Sequence, residues 1–191
     1  MNVILASQSP RRKELMGLFH IPFTVRVADV NEAMDKDKPA CEEVARVSKL
    51  KAQAVTRNHD DVVIAADTIV VCEGQILGKP KDEADAYRML NLLSGRDHQV
   101  MTGMTVLRGN RQITCTEITD IHFRNLSEKE ILSYIASKDP MDKAGSYGVQ
   151  SGAALFVEKL VGDYYNVMGL PVCRLSKILN EIAPDIMEDK E

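Results

Sequence analysis

Apolar residues along the chain switch between two periods. The run "NVILA" (2–6) is β-branched and apolar and predicts a strand; it stops at polar Ser7-Gln8-Ser9, after which Leu15, Leu18 and Phe19 recur at helical spacing. Strand, tight loop and helix are therefore expected in that order. "FTVRV" (23–27) alternates as a half-buried strand does, whereas "NEAMDKDKPA" (31–40) is polar and reads as a loop. Helical spacing returns over 41–57 through Val44, Val47, Leu50, Ala54 and Val55. The next stretch, "DVVIAADTIVVCEGQILGKP" (61–80), is nearly continuous in apolar residues, is interrupted by Asp67 and Thr68, and turns at Glu73-Gly74. It predicts a buried strand or a pair of strands. A helix over 82–94 should end at Ser94-Gly95, and two strands are expected about the turn "RGNR" (108–111). "SEKEILSYIASK" (127–138) opens with Ser127 and Glu130 at capping-box spacing. "ALFVEKLVG" (154–162) reads as a further strand, and Pro171 stands where a last helix through "CRLSKILNEI" can begin. The closing "EDKE" (188–191) is expected to be frayed.

Strands and helices interleave without a fixed period, which predicts the α/β class, a mixed twisted sheet with flanking helices and no internal repeat. The 191 residues suit one domain, single or two-lobed, able to bury ~70% of its unfolded surface. With 45% hydrophobic and 27% charged residues the composition is that of an ordinary globular chain. A net charge of -4 argues against broad nucleic-acid binding, which needs a sheet of Lys and Arg to displace counterions, but leaves room for a local basic pocket. Cys41, Cys72, Cys115 and Cys173 are far apart, and the four histidines lack ligand spacing, so structural zinc is not expected. No apolar run reaches ~18 residues and no leader is readable, so no membrane span is expected and the cytoplasm is the expected location.

The first chemical anomaly is "SQSPRR". Ser9 is a natural N-cap and Pro10 a natural first helical residue, so the amides of the first turn point outward with partial positive charge. Arg11 and Arg12 are disfavoured at such an end unless an anion arrives, and then amides, dipole and guanidinium forks act on one phosphate. The alternative is a solvated basic turn. Asp67 is the second anomaly, because an ionised carboxylate inside an apolar strand is expensive unless paired or bound to metal. It can hold Mg2+, act as general base toward water, or cap a neighbouring turn, and Thr68 can offer its hydroxyl to a ligand. "GQILGKP" (74–80) has three residues between its glycines where a P-loop has four, and Pro80 replaces the Ser or Thr of that motif. It reads as a hairpin presenting Lys79, to a phosphate or to solvent. In "DPMDKAGSYGVQSGAA" (139–154), glycines permit close backbone approach, Lys143 adds charge, Tyr147 can stack and Gln150 can pair with a base edge; a plain loop is the other reading. Glu32 matters only if its polar loop folds over the site.

Taken in order, "SQSPRR", "AADTIV", "GKP", "DKAGSYGVQ" and "NVMGLP" resemble the Maf family of nucleoside triphosphate pyrophosphatases over nearly the whole chain. The resemblance implies hydrolysis between the α and β phosphates to monophosphate and pyrophosphate with a divalent cation, Mg2+ or Mn2+. It also implies an elongated, two-lobed fold around a central cleft, similar to the inosine triphosphate pyrophosphatases. By it, Asp67 corresponds to the proton acceptor, and Arg11, Thr68 and Gln150 match positions linked to base choice in the branch acting on dTTP and UTP. That branch's "DKAGAYGIQ" differs here only at Ser146 and Val149. Ser7, Arg12, Lys51, Lys79 and Lys143 look like phosphate-contacting residues, and Glu32 like the loop carboxylate that joins Asp67 on the metal. Many members have an acid before that Glu, where this chain has Asn31. The implied role is removal of dTTP, UTP or modified pyrimidine triphosphates such as those of pseudouridine and 5-methyluridine. A 7-methylguanosine triphosphate specificity, or a nucleotide-responsive binding role in septum formation and cell-division arrest, is the alternative. The implied partner is a small nucleotide, without stable nucleic-acid or membrane binding. A homodimer would be served by the apolar helix face over 171–183.

Overall fold

The longest apolar runs become the centre of a seven-stranded mixed sheet. β1 (Val3–Leu5) is buried at all three positions, and β3 (Val62–Cys72) from Val62 to Ala66, as expected for parallel strands covered on both faces. In this computed structural model, which describes residues 1–188, β1 pairs in parallel with β3 through Val3–Val62, Ile4–Val63 and Leu5–Ile64. Its other edge carries β2 (Phe23–Val25), also parallel. β4 (Gln75–Leu77) returns antiparallel on the far end of β3 through Val70–Leu77 and Cys72–Gln75, about a turn in which Glu73 and Gly74 both have positive φ. The predicted strand or pair over 61–80 is thus a pair. β5 (Asp97–Arg108) and β6 (Arg111–Phe123) are joined at Gly109-Asn110, and β7 (Val157–Val161) pairs antiparallel with β6. The order is β2-β1-β3-β5-β6-β7 with β4 on β3, which bears out the mixed α/β class.

Five helices follow the predicted spacing: α1 (Pro10–Gly17), α2 (Ala40–Ala54), α3 (Glu83–Leu93), α4 (Glu128–Ala136) and, numbered in chain order after the short α5 (Tyr164–Met168), α6 (Val172–Ile182); α5 and the closing α7 (Asp185–Glu188) are short helices that the spacing did not predict. Ser9 caps α1 with Pro10 in its first turn, and Ser127 and Glu130 form the full capping box of α4. Two expectations are corrected. The strand over 154–162 begins only at Val157, because Phe156 N–H closes a turn onto Ala153 O at 2.9 Å and holds 152–155 in a 3₁₀ turn. The apolar face of 171–183 is not offered to a second copy: Leu175, Ile178, Leu179 and Ile182 are buried within the chain itself. Of the tail expected to fray over 188–191, Glu188 instead closes α7, and residues 189–191 lie outside the described residues.

Contacts divide the chain into two compact units. The first comprises Met1–Asp67, Thr102–Glu117 and the chain from Gly169 onward. Ile4, Ala6, Ala52, Val55, Val63, Ala65 and Leu107 form one of its core clusters. Here α2 runs so close to β5 that a Cβ on Gly103 would lie 2.3 Å from Val44 O, so only glycine fits. The second unit comprises Thr68–Met101 and Ile118–Met168. Its core includes Phe123, set edge-to-face against Tyr147, Phe156 and His98. Burial pushes the His98 imidazole down to about 4, so it packs neutral, with Nε2 2.9 Å from the Tyr147 hydroxyl. Tyr147 is 5% exposed, which corrects the expectation that it can stack on a ligand: its ring is already packed inside.

Candidate active site

β3 continues past the end of its β1 partner, and the site is built on that overrun. Val62 N–H donates to Asn2 O and Ile64 O accepts from Ala6 N–H, so even-numbered residues of β3 turn their backbone groups toward β1. At Ala66 the ladder has run out, because β1 pairs only as far as Ile64 and β4 takes up pairing only at Val70. A buried carbonyl requires a partner. Arg12 supplies it: Nη1 donates to Ala66 O at 2.7 Å and to Ser7 Oγ at 3.2 Å, while Nε donates to Gly169 O at 2.7 Å. The second arginine of "SQSPRR" is therefore a bracket joining the turn after β1, the residue before Asp67, and the "GLP" segment before α6. Burial lowers the pKa of Arg12 and Asp67 opposes that shift, with Arg11 lowering and Glu32 raising it as well, so all four charges act within one electrostatic neighbourhood. Ser7 Oγ also accepts from Ser9 N–H at 3.3 Å, which commits it to the turn that starts α1. Arg11 lies in the first turn of α1 and is half-buried.

Asp67 sits within β3, not at its end, and is paired. Lys51 near the C-terminus of α2 donates from Nζ to Asp67 Oδ1 at 2.7 Å and reaches Glu32 Oε2 at 2.9 Å. The Lys51 and Asp67 side chains are 15% and 13% exposed, and that of Glu32 is 57% exposed, so an inner ion pair carries an outer carboxylate at its edge. The polar loop of Glu32 does fold over the acid in β3. Asn31 Oδ1 accepts from Ala33 N–H at 2.9 Å, an Asx turn that shapes this loop.

The hold on that loop comes from two residues that sequence reasoning passed over. Glu43, buried on α2, accepts from Arg46 Nη2 at 2.7 Å and from Asp35 N–H at 2.8 Å, and Arg46 Nη2 also donates to Ala33 O at 2.7 Å. Together they clip both sides of the loop just beyond Glu32. The signal in the sequence was slight: a Glu and an Arg three apart on a helix normally form a surface pair. Arg46 first, then the Asp35 amide, brings Glu43 from 4.5 down to about 2. A depressed carboxyl pKa means stability that is present above the unfolded value and is lost as pH falls toward the folded one. The clip should therefore loosen between about pH 4.5 and about pH 2. Glu43→Gln keeps the size and removes the charge; hydrogen exchange at the Asp35 amide is expected to quicken roughly 10-fold at neutral pH, and unchanged exchange would mean that the loop holds itself.

The remaining predicted residues belong to the second unit. Thr68 follows Asp67 in β3 and is half-buried; Lys79 and Gln150 are exposed. Lys143 is nearly buried, and its ammonium donates to Asp139 O at 2.6 Å, Asp139 Oδ1 at 2.9 Å and Asp142 Oδ1 at 2.7 Å. All three hydrogens have oxygen partners, so a phosphate reaches this ammonium only by displacing one. Asp142, with a side chain 56% exposed, is the partner best able to yield.

Glu32 and Asp67 fit a hard divalent cation by the chemistry of their donors. One ammonium stands within 2.9 Å of an oxygen on each, so the two acids converge on a single centre of positive charge. Among the described residues no group of three His, Cys, Asp or Glu side chains is placed to cage an ion. Two carboxylates, with water and phosphate oxygens completing the shell, is the usual manner of Mg2+ binding. Among the described residues no helix is long and apolar enough to cross a membrane.

The class of fold is shared with the Ham1 protein of Staphylococcus aureus, which aligns at a TM-score of 0.52 over 95% of this chain and 99% of that one; at 14% identity the likeness is one of fold alone. Within that class the chain belongs to the Maf-like protein family, whose pattern it matches over residues 2–182. A relative from Bacillus cereus is 46% identical over 185 residues, 96% of this chain and 97% of the relative. One from Bacillus mycoides is 45% identical over the same length and shares. Both carry the name dTTP/UTP pyrophosphatase.

Proposed function

We propose that this chain hydrolyses dTTP and UTP to the monophosphate and pyrophosphate, clearing these and modified pyrimidine triphosphates from the nucleotide pool. The observation that carries the proposal is the Asp67–Lys51–Glu32 constellation set beside Arg12, within a chain 46% identical to a relative of that name. Water adds to the α-phosphorus, the bond from that phosphorus to the oxygen bridging to the β-phosphate breaks, and one proton must leave the attacking water. Asp67 accepts it. Lys51 donates to Oδ1 and so fixes the carboxylate, and Arg12 holds the backbone at Ala66 so that it cannot drift. The positive charge of Lys51 and Arg12 answers the charge that develops on the departing pyrophosphate. Glu32 and Asp67 would hold the divalent cation, which when bound neutralises phosphate charge and polarises the water. Arg11, Thr68 and Gln150 choose the base, and Ser7, Lys79 and Lys143 serve the phosphates, as the family resemblance implies.

Incubation of the pure protein with each nucleoside triphosphate and Mg2+ or Mn2+, with pyrophosphate and orthophosphate assayed separately, tests this. Pyrophosphate release with dTTP and UTP ahead of the other common nucleotides is the expected result. Orthophosphate as the product, or no turnover with any of them, overturns it. Including pseudouridine and 5-methyluridine triphosphates orders the ordinary and modified substrates.

A further inference from the structure

Gln150 stands at the exposed corner of a tight turn, and the fastening of that turn is unusually complete. Ser151 N–H donates to Gly148 O at 3.1 Å, closing a four-residue turn in which Val149 is buried and Gln150 faces out. Ser151 Oγ donates to Asp139 Oδ2 at 2.5 Å. The same Asp139 oxygen accepts from the Tyr134 hydroxyl, and that hydroxyl in turn accepts from Gly148 N–H at 3.1 Å. Both ends of the turn, Gly148 and Ser151, are thus tied to one carboxylate. The stem of Lys143 runs beneath: a Cβ on Gly148 would lie 2.7 Å from Lys143 Cε and 2.7 Å from Ser151 Oγ, so the backbone is wrapped directly on it. Burial pushes the Asp139 carboxyl up, but the hydrogen bonds from Ser151, Tyr134 and Lys143 outweigh it and leave it below the ordinary range, as a charge that the loop is built around.

A glutamine amide carries a donor and an acceptor, and an amide free to turn over satisfies a uracil edge and a cytosine edge equally well. Discrimination by such a residue requires that its backbone be held, so that few side-chain poses remain. We infer that Asp139, acting through Ser151 and Tyr134, is the positioning group that sets Gln150 and so governs base selectivity, and that Lys143 belongs to the same fastening. This rests on Gln150 being a base-contacting residue.

Ser151→Ala removes one hydroxyl from a half-exposed position, and Tyr134→Phe removes the other while keeping the ring in the core. Each is expected to lower the ratio of kcat/KM for UTP over CTP by about 5- to 10-fold. The fall should come through a higher KM for UTP, with kcat changed less than about twofold and Tm lowered by only a few degrees. Ser151→Thr, which keeps the hydroxyl, should restore the ratio. Gln150→Ala is measured alongside. If it lowers the ratio and both hydroxyl variants leave the ratio unchanged, the positioning role is overturned while the base contact survives. If Gln150→Ala itself leaves the ratio unchanged, the base contact fails and the positioning role falls with it. A loss in kcat and Tm at constant ratio would make the network a staple of the fold only.

Discussion

Replacing Asp67 with asparagine is expected to cut pyrophosphate release by roughly 10²- to 10⁴-fold while leaving the protein folded. The substitution keeps the shape of the side chain and removes both features the chemistry needs: an oxygen that can take a proton, and the negative charge that meets Lys51 at 2.7 Å. The fold should tolerate it because the amide oxygen can still accept from Lys51, and because β3 is held on both sides of Asp67 by independent pairings at Val62–Ile64 and Val70–Cys72. Circular dichroism and Tm would report the fold, and the pyrophosphate assay the chemistry. Near-normal turnover by a folded Asp67→Asn protein would remove Asp67 from the mechanism. Collapse of the fold would mean that its charge is needed for structure, and Asp67→Glu would then separate the roles, since it keeps the charge and misplaces the oxygen.

Arg12→Lys is expected to be nearly as severe, though it conserves charge. The guanidinium reaches Gly169 O from Nε and both Ala66 O and Ser7 Oγ from Nη1. These directions diverge from a planar fork, and a single ammonium on a flexible stem cannot serve all of them. Whichever carbonyl is dropped is left without its partner beside the site. A loss of about 2–3 kcal/mol in stability follows from two charge-assisted hydrogen bonds forgone, together with ~10²-fold in turnover from the drift of Asp67. A residue that only gripped phosphate would behave differently, raising KM at unchanged Tm. Denaturant unfolding and steady-state kinetics on the same preparation distinguish the two, and wild-type Tm with raised KM would overturn the bracket.

The contrast between Asp67 and Glu43 marks how far the chain could be read in advance. Asp67 is conspicuous in the sequence because its surroundings are apolar for several residues on each side, and a charge there demands a partner. Its partner, Lys51, sits sixteen residues away on α2, and no local rule brings the two together; the family resemblance implied a role for each, Asp67 as proton acceptor and Lys51 as phosphate contact, without pairing them. Glu43 and Arg46 looked like an ordinary helical pair, and their grip on Ala33 and Asp35 exists only because the loop returns across α2. Tyr147 differs from its expectation for the same reason: in sequence it stands in a glycine-rich stretch, between Gly145-Ser146 and Gly148, while its neighbours in space are His98 and Phe123. Asp139 drew no notice, since acids before a proline are common at helix ends, and its three partners come from α4 and from the loop that follows.

Local physics was enough for whatever depends on residues within a turn or two of each other. The period of the apolar residues determined which segments are strands and which are helices, Ser9-Pro10 and Ser127-Glu130 determined two helix starts, and Asp67-Thr68 marked the one polar break in the longest apolar run. What only the tertiary structure decided was the fate of each polar group once its strand or loop outran its local partners. Ala66 O is met by an arginine from α1, Asp67 by a lysine from α2, and Gln150's turn by an aspartate eleven residues upstream. A buried carbonyl or carboxylate must be satisfied, but which of many distant donors satisfies it is set by packing of the whole chain and cannot be read from spacing alone.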